Sequence, residues 1–225
     1  MNTQPMVSES CRRWLLASLC LAVGLCAGSA LAQEHRGPAR DQLERFAAGL
    51  DSLHAQFSQR VIGSDGEVQD ESSGEVWLQR PDKFRWAYGG DFPELVVADG
   101  TSVWIYDEVL EQVTVKNQSD AESDSPLTVL TDTGRLDREF EVREVGDMDN
   151  MDLLELRSKS PETQFERVLL GFSADTLRLM VMEDAFGLRT ELRFSDVERN
   201  PALKARLFRF EPPPGADVIG DLPAN

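Results

Sequence analysis

The chain has 225 residues, 40 acidic side chains against 23 basic ones, and a formal net charge of −17. A surface this acidic excludes ordinary nucleic-acid binding, which needs cations to displace phosphate counterions. It keeps a protein soluble and steers it toward basic partners.

Residues 1–32 read as a secretory signal peptide. Arg12 and Arg13 form a basic start, Trp14 to Leu25 an apolar run, and Ala30-Leu31-Ala32 a small-residue cleavage site before Gln33. The apolar run is short for a membrane span. All three cysteines, Cys11, Cys20 and Cys26, fall in this segment, so the product 33–225 is expected to have no disulfide, thiol catalyst or thiolate metal site. Leucine precedes both Cys20 and Cys26 where a lipoprotein site wants a small residue, so no lipidated N-terminus is expected. Removing Glu9, Arg12 and Arg13 takes the charge from −17 to −18. A single soluble domain outside the cytoplasm is expected over 33–225.

Leu43, Phe46, Leu50, Leu53 and Phe57 recur at spacings of three and four, which predicts an amphipathic helix from Asp41 to Phe57. The period then changes to two. Phe84, Trp86 and Tyr88 alternate with Arg85 and Ala87, Val103 and Ile105 with Trp104 and Tyr106, and Val113 and Val115 follow. Asp65-Gly66 and Asp99-Gly100 are hairpin signals. The second half repeats the pattern through Phe140, Leu154, Val168, Leu177, Leu192 and finally Phe208 and Phe210. With no helices regularly between these strands, a strongly curved antiparallel sheet or barrel is expected rather than a parallel α/β fold. Residues 117–136 break the meander. Ser125-Pro126 fits a helix start, with Leu127 and Leu130 on one side, and such an insertion reads either as a lid over one mouth of a barrel or as a surface loop with one apolar turn.

Catalytic signals are weak. Of the two histidines, His35 precedes the predicted helix and His54 lies beside its apolar face, a packing or solvent-edge position. There is no Gly-x-Ser-x-Gly elbow and no glycine-rich phosphate loop. Asp147 to Asp152 alternates carboxylates but has neither the central glycine nor the closing glutamate of a calcium loop, and reads as a hairpin turn. A carrier or binding protein without metal or cofactor is therefore expected. The aromatics Trp77, Phe84, Trp86, Tyr88 and Trp104 fit either a packed core or a ligand cavity, which periodicity does not separate.

Four blocks carry a resemblance. They are Leu53-His54-Ala55-Gln56-Phe57-Ser58-Gln59-Arg60; Gly74-Glu75-Val76-Trp77-Leu78-Gln79-Arg80-Pro81-Asp82-Lys83-Phe84-Arg85-Trp86; Val97 to Asp107 with its Asp-Gly-x-x-x-Trp-x-Tyr; and Phe208-Arg209-Phe210-Glu211-Pro212-Pro213-Pro214-Gly215. In order and spacing these resemble the LolA family of periplasmic lipoprotein carriers over nearly the whole mature chain. The resemblance implies an unclosed antiparallel β-barrel with an N-terminal helix and a short helical lid, enclosing a hydrophobic cavity for acyl chains. It also implies receipt of lipoproteins from the inner-membrane LolCDE transporter and delivery to the outer-membrane receptor LolB, by a monomeric periplasmic chaperone that is not an enzyme. LolB shares the fold but is itself lipidated, and the related sensor RseB is longer and two-domained. A sensory or adaptor protein of the same fold that binds a protein partner is the alternative.

By the same resemblance Arg80 matches an arginine that hydrogen-bonds lid carbonyls and holds the empty carrier closed, where the residue alone would read as a surface turn arginine before proline. Phe84 matches a position at the cavity entrance that contacts the transporter, or packs in the core. Trp86, Leu95 and Val96 are candidate cavity-lining residues, and Leu127, Val129 and Leu130 the apolar face of the lid.

Overall fold

A computed structural model describes residues 38–118, 130, 133–160 and 163–220. The chain divides into two units, Met1–His35 and Arg36–Asn225, and only the second contains described residues. Its described residues include helix α1 (Pro38–Ala47) and twelve strands: β1 (Ser52–Ile62), β2 (Val68–Gln79), β3 (Lys83–Tyr88), β4 (Glu94–Ala98), β5 (Ser102–Asp107), β6 (Gln112–Asn117), β7 (Phe140–Met148), β8 (Met151–Ser158), β9 (Arg167–Ser173), β10 (Thr176–Glu183), β11 (Arg189–Arg199) and β12 (Asp217–Gly220).

They form one sheet in the order β12-β6-β5-β4-β3-β2-β1-β11-β10-β9-β8-β7. Every neighbouring pair is antiparallel except β12 with β6. The sheet curls around α1, because one buried cluster unites Leu43 and Phe46 of α1 with Phe57, Val76 and Leu78 from one half and Leu154, Phe172 and Met180 from the other. Among the described strands no ladder joins β7 to β12, so the expected unclosed barrel is present.

The helix is shorter than its periodicity predicts. It stops at Ala47, Gly49 adopts φ +63°, and the chain turns into β1. A left-handed residue just past the last turn is a standard helix terminator, and glycine takes it without a Cβ penalty. Leu53 and Phe57 therefore sit on a strand, where with Ala55 they form a buried row at period two. Their spacing of four satisfies both periods, which is why the helical pattern overran. The N-terminus of α1 is capped from outside: Glu144 of β7 accepts from the Ala39 and Arg40 amides at 3.2 and 2.9 Å. A carboxylate there also complements the helix dipole.

The hairpins at Asp65-Gly66 and Asp99-Gly100 form as expected, and Asp149 and Asn150, both at positive φ, make the β7–β8 turn in place of any calcium loop. The C-terminus departs from the sequence pattern. Phe208 ends a 3-10 turn (Ala205–Phe208) and Phe210 lies in extended chain outside the sheet, while the last strand is the short parallel β12 beyond the proline run.

Candidate functional site

Strand register assigns each side chain to a face, because residues paired across an antiparallel ladder point the same way and alternate along each strand. Trp86 pairs with Val76 and Val96, and Phe84 with Leu78 and Ala98. Val96 pairs in turn with Ile105, and Ala98 with Val103. Phe84, Trp86, Tyr88, Val96, Val103 and Ile105 thus share the concave face with the main core. Trp86 and Tyr88 stand nearly perpendicular to Phe57, with ring centroids 4.9 and 5.1 Å away. Phe84, Val96 and Ile105 remain only half-buried on this face. The result is an apolar wall continuous with the core and incompletely covered by it.

Leu95 does not belong to that wall. Neighbours on one strand point in opposite directions, and Leu95 packs on the convex face with Val97, Trp104, Val113 and Phe210. The aromatic cluster of the sequence divides likewise. Trp104 lies against Phe210 at 5.7 Å and donates its indole N–H to Asp99 at 2.9 Å. Trp77 stacks on His54 at 5.1 Å on the convex side of β1 and β2. His54 is on β1 rather than on a helix, with Nε2 2.8 Å from a Glu75 carboxylate oxygen.

Residues 118–139, the crossing segment, connect β6, second from one edge of the sheet, to β7 at the opposite edge. Leu127 and Val129 lie outside the described residues. Leu130 is fully buried in the main core cluster together with Leu136, which begins the single-turn helix Leu136–Glu139.

Arg80 occupies the β2–β3 turn with a cis peptide to Pro81. Its side chain is exposed and Nη1 donates to the Leu50 carbonyl at 3.4 Å, while its backbone N–H donates to Asp51 O at 2.9 Å. The loop between α1 and β1 is also held by Asn200, which accepts from the Asp51 amide at 2.8 Å. The root of the crossing segment sits at the same corner. Buried Gln118 donates to Asp82 O and accepts from the Gly100 amide at 2.9 Å, joining the Arg80-Pro81-Asp82 turn to the β4–β5 turn. Sequence reasoning missed Gln118, which no periodicity singles out.

At the other end of the concave face the chemistry turns polar. Tyr88 donates its hydroxyl to Gln59 Oε1 at 3.3 Å, and burial with nearby Glu94 pushes its phenol up to about 12. Glu94 is raised above the usual carboxylate range by burial and by Asp107 across the ladder. The face is thus graded, apolar toward the Arg80 end and acidic toward the β3–β4 turn.

A curved, unclosed antiparallel sheet with an incompletely covered apolar concave face is the architecture of a protein that shelters a hydrophobic ligand. Its sequence relatives narrow the class. The family model described as outer membrane lipoprotein carrier protein LolA matches residues 48–211, and the chain belongs to this family. It is 43% identical over 187 residues to an outer-membrane lipoprotein carrier protein of Dechloromonas aromatica, covering 83% of this chain and 89% of that one. It is also 43% identical over 203 residues to one of Xanthomonas campestris pv. campestris, covering 89% and 95%. Among solved structures, an uncharacterized conserved protein from Thermus thermophilus superposes with a TM-score of 0.53 at 18% identity, over 81% of this chain and 99% of that one, a likeness of fold.

Proposed function

We propose that the chain is a periplasmic carrier that takes lipoproteins from the LolCDE transporter to the LolB receptor by burying their acyl chains against the concave face. The observation that carries this reading is the half-buried apolar wall of Phe84, Trp86, Val96 and Ile105, which abuts a fully packed core. Family membership supports the cargo class and favours carriage over catalysis. In this reading residues 1–32 are a signal peptide, 33–225 are the mature monomeric domain, and no cofactor takes part.

The energetic need is plain. At about 0.8 kcal/mol per methylene, a sixteen-carbon chain in water costs on the order of 12 kcal/mol. An apolar wall removes most of that cost, and release then requires a receptor that grips harder. Arg80 is the latch of the closed state, through carbonyls of the crossing segment that begins at Gln118. Phe84 stands at the entrance, Trp86 and Val96 line the cavity, and Leu127, Val129 and Leu130 form the lid's apolar face.

The test is displacement of a fluorescent fatty-acid probe from the purified protein by a synthetic acylated peptide. Saturable binding of both supports a carrier, whereas failure of either to bind favours an adaptor that recognises a protein partner through the same fold.

A further inference from the structure

We propose that a notch in the sheet wall, between β2 and the β3–β4 turn, is the slot through which the polypeptide of an acylated cargo leaves the concave face, and that it favours an extended, lysine-bearing segment. The inference rests on the carrier reading above and adds to it a binding site for the peptide part of the cargo.

The notch follows from unequal strand lengths. β3 pairs with β2 only from Gly74 to Gln79, and the last bond between these segments runs from the Gly89 amide to Ser73 O at 2.9 Å. Beyond that point, residues 68–72 of β2 pair with β1 alone among the described residues. One backbone edge is therefore open in the middle of the sheet rather than at its margin. An open edge pairs with extended chain, and this stretch accommodates about five residues at strand rise.

A cavity of about 780 Å³ fills the notch, within the range of ligand clefts. Its lining comes from both faces of the sheet. Gln59, Ser72, Tyr88 and Glu94 belong to the concave side by register, and Ser58, Arg60 and Ser73 to the convex side. The cleft is thus bordered by residues of both faces of the sheet. A protein attached by its acylated end has its lipid inside and its folded part outside, and a gap in the ladder offers its chain a route between the two without breaking a strand hydrogen bond.

The chemistry selects the segment. Four carboxylates line the cleft, Asp70, Glu71, Asp91 and Glu94, against one guanidinium, Arg60, which Glu71 already holds at 3.2 Å. The Ser72 hydroxyl oxygen is buried with no hydrogen-bond partner among the described residues. An unpaired buried hydroxyl beside an open strand edge suits a ligand that brings its own amides and carbonyls, and the surplus of carboxylates suits lysine side chains.

The experiment compares two triacylated hexapeptides, Cys-Ser-Lys-Lys-Lys-Lys and Cys-Ser-Glu-Glu-Glu-Glu, in displacing the fatty-acid probe at about 0.15 M salt, where charges beyond about 8 Å are screened. The lysine peptide is expected to bind at least about fivefold tighter. The double substitution Asp70→Asn and Asp91→Asn should abolish most of that preference with probe affinity unchanged. Neutralising Glu141, Asp147 and Asp196, exposed acids elsewhere, should leave it. A photo-crosslinking residue placed third after the acylated cysteine should label 70–73 or 89–92. Equal affinity of the two peptides, an equal effect of the control substitutions, or labelling elsewhere overturns the slot. Loss of the preference together with probe binding in the double variant overturns it as well, since the carboxylates would then be supporting the cavity. Failure of the wild-type protein to bind probe or peptides overturns the carrier reading and the slot with it.

Discussion

Replacing Arg80 with leucine separates the arginine's structural contribution from its proposed function. Among the described residues the exposed Arg80 makes one long side-chain bond, 3.4 Å to Leu50 O. Backbone bonds from Asp51 to Asn200 and from Arg80 N to Asp51 O hold the same loop independently of that side chain. Loss of one such neutral-acceptor bond costs about 0.5–1.5 kcal/mol, so Arg80→Leu should fold with only a small fall in melting temperature. If Arg80 also bonds the crossing segment, each bond lost shifts the closed–open equilibrium by about two- to tenfold toward open. The empty carrier then loses its preference for closing, and cargo, once loaded, is no longer expelled. The assay combines a thermal melt with transfer of labelled lipoprotein from purified carrier to purified receptor. The expected result is near-normal melting and loading with transfer reduced at least about tenfold, and Arg80→Lys intermediate because an ammonium is a point donor without the fork of five N–H groups. Transfer at the wild-type rate would remove Arg80 from the mechanism.

Three further outcomes test other parts of the structure. Phe84→Glu should keep the fold and lose loading, and unchanged crosslinking to the transporter counts against a role at the entrance. Gly74→Ala places a Cβ 2.0 Å from the Ala87 carbonyl oxygen, so β2 and β3 must separate where the notch begins. Urea unfolding should show a loss of about 3 kcal/mol, and a loss below about 1 kcal/mol would mean that the strands yield there. Asp99 is pushed up by burial but drawn lower overall by hydrogen bonds from Ser102, Trp104 and Thr101 and by Lys83. A depressed carboxylate stabilises the fold above its unfolded value near pH 4, and that stability is lost as pH falls through the folded value. Asp99→Asn should therefore flatten the acid limb of the stability curve below about pH 4, and an unchanged limb in melts followed by tryptophan fluorescence would refute the assignment.

Where a pattern has one physical source, it could be read without coordinates. Phe84, Trp86 and Tyr88 alternate because one face of β3 meets the core, and that face is where they were found. Leu53 and Phe57 misled because a spacing of four residues fits a helix and a strand equally, and the glycine that decides between them follows the last helical turn by only two residues. Leu95 and Val96, both apolar and adjacent on β4, fall on opposite faces. The convex face of β4 to β6 is apolar too, under Phe210 and β12, and alternation is invisible on a strand buried on both sides. The Gln118 clamp and the notch at Gly74 depend on which turns meet in space and where one strand outruns its neighbour, and neither leaves a periodic mark.

The missing ladder between β7 and β12 has a mechanical consequence. In a closed barrel, strand number and stagger fix the bore, and widening it means breaking hydrogen bonds along an entire seam. Among the described residues the girth is held by side-chain contacts, with α1 hydrogen-bonded to β7 through Glu144 and packed with the buried Leu130 and Leu136. Such a wall can spread by trading one set of apolar contacts for another. Cargoes bearing different numbers or lengths of acyl chain can then share a single container, each setting its own girth.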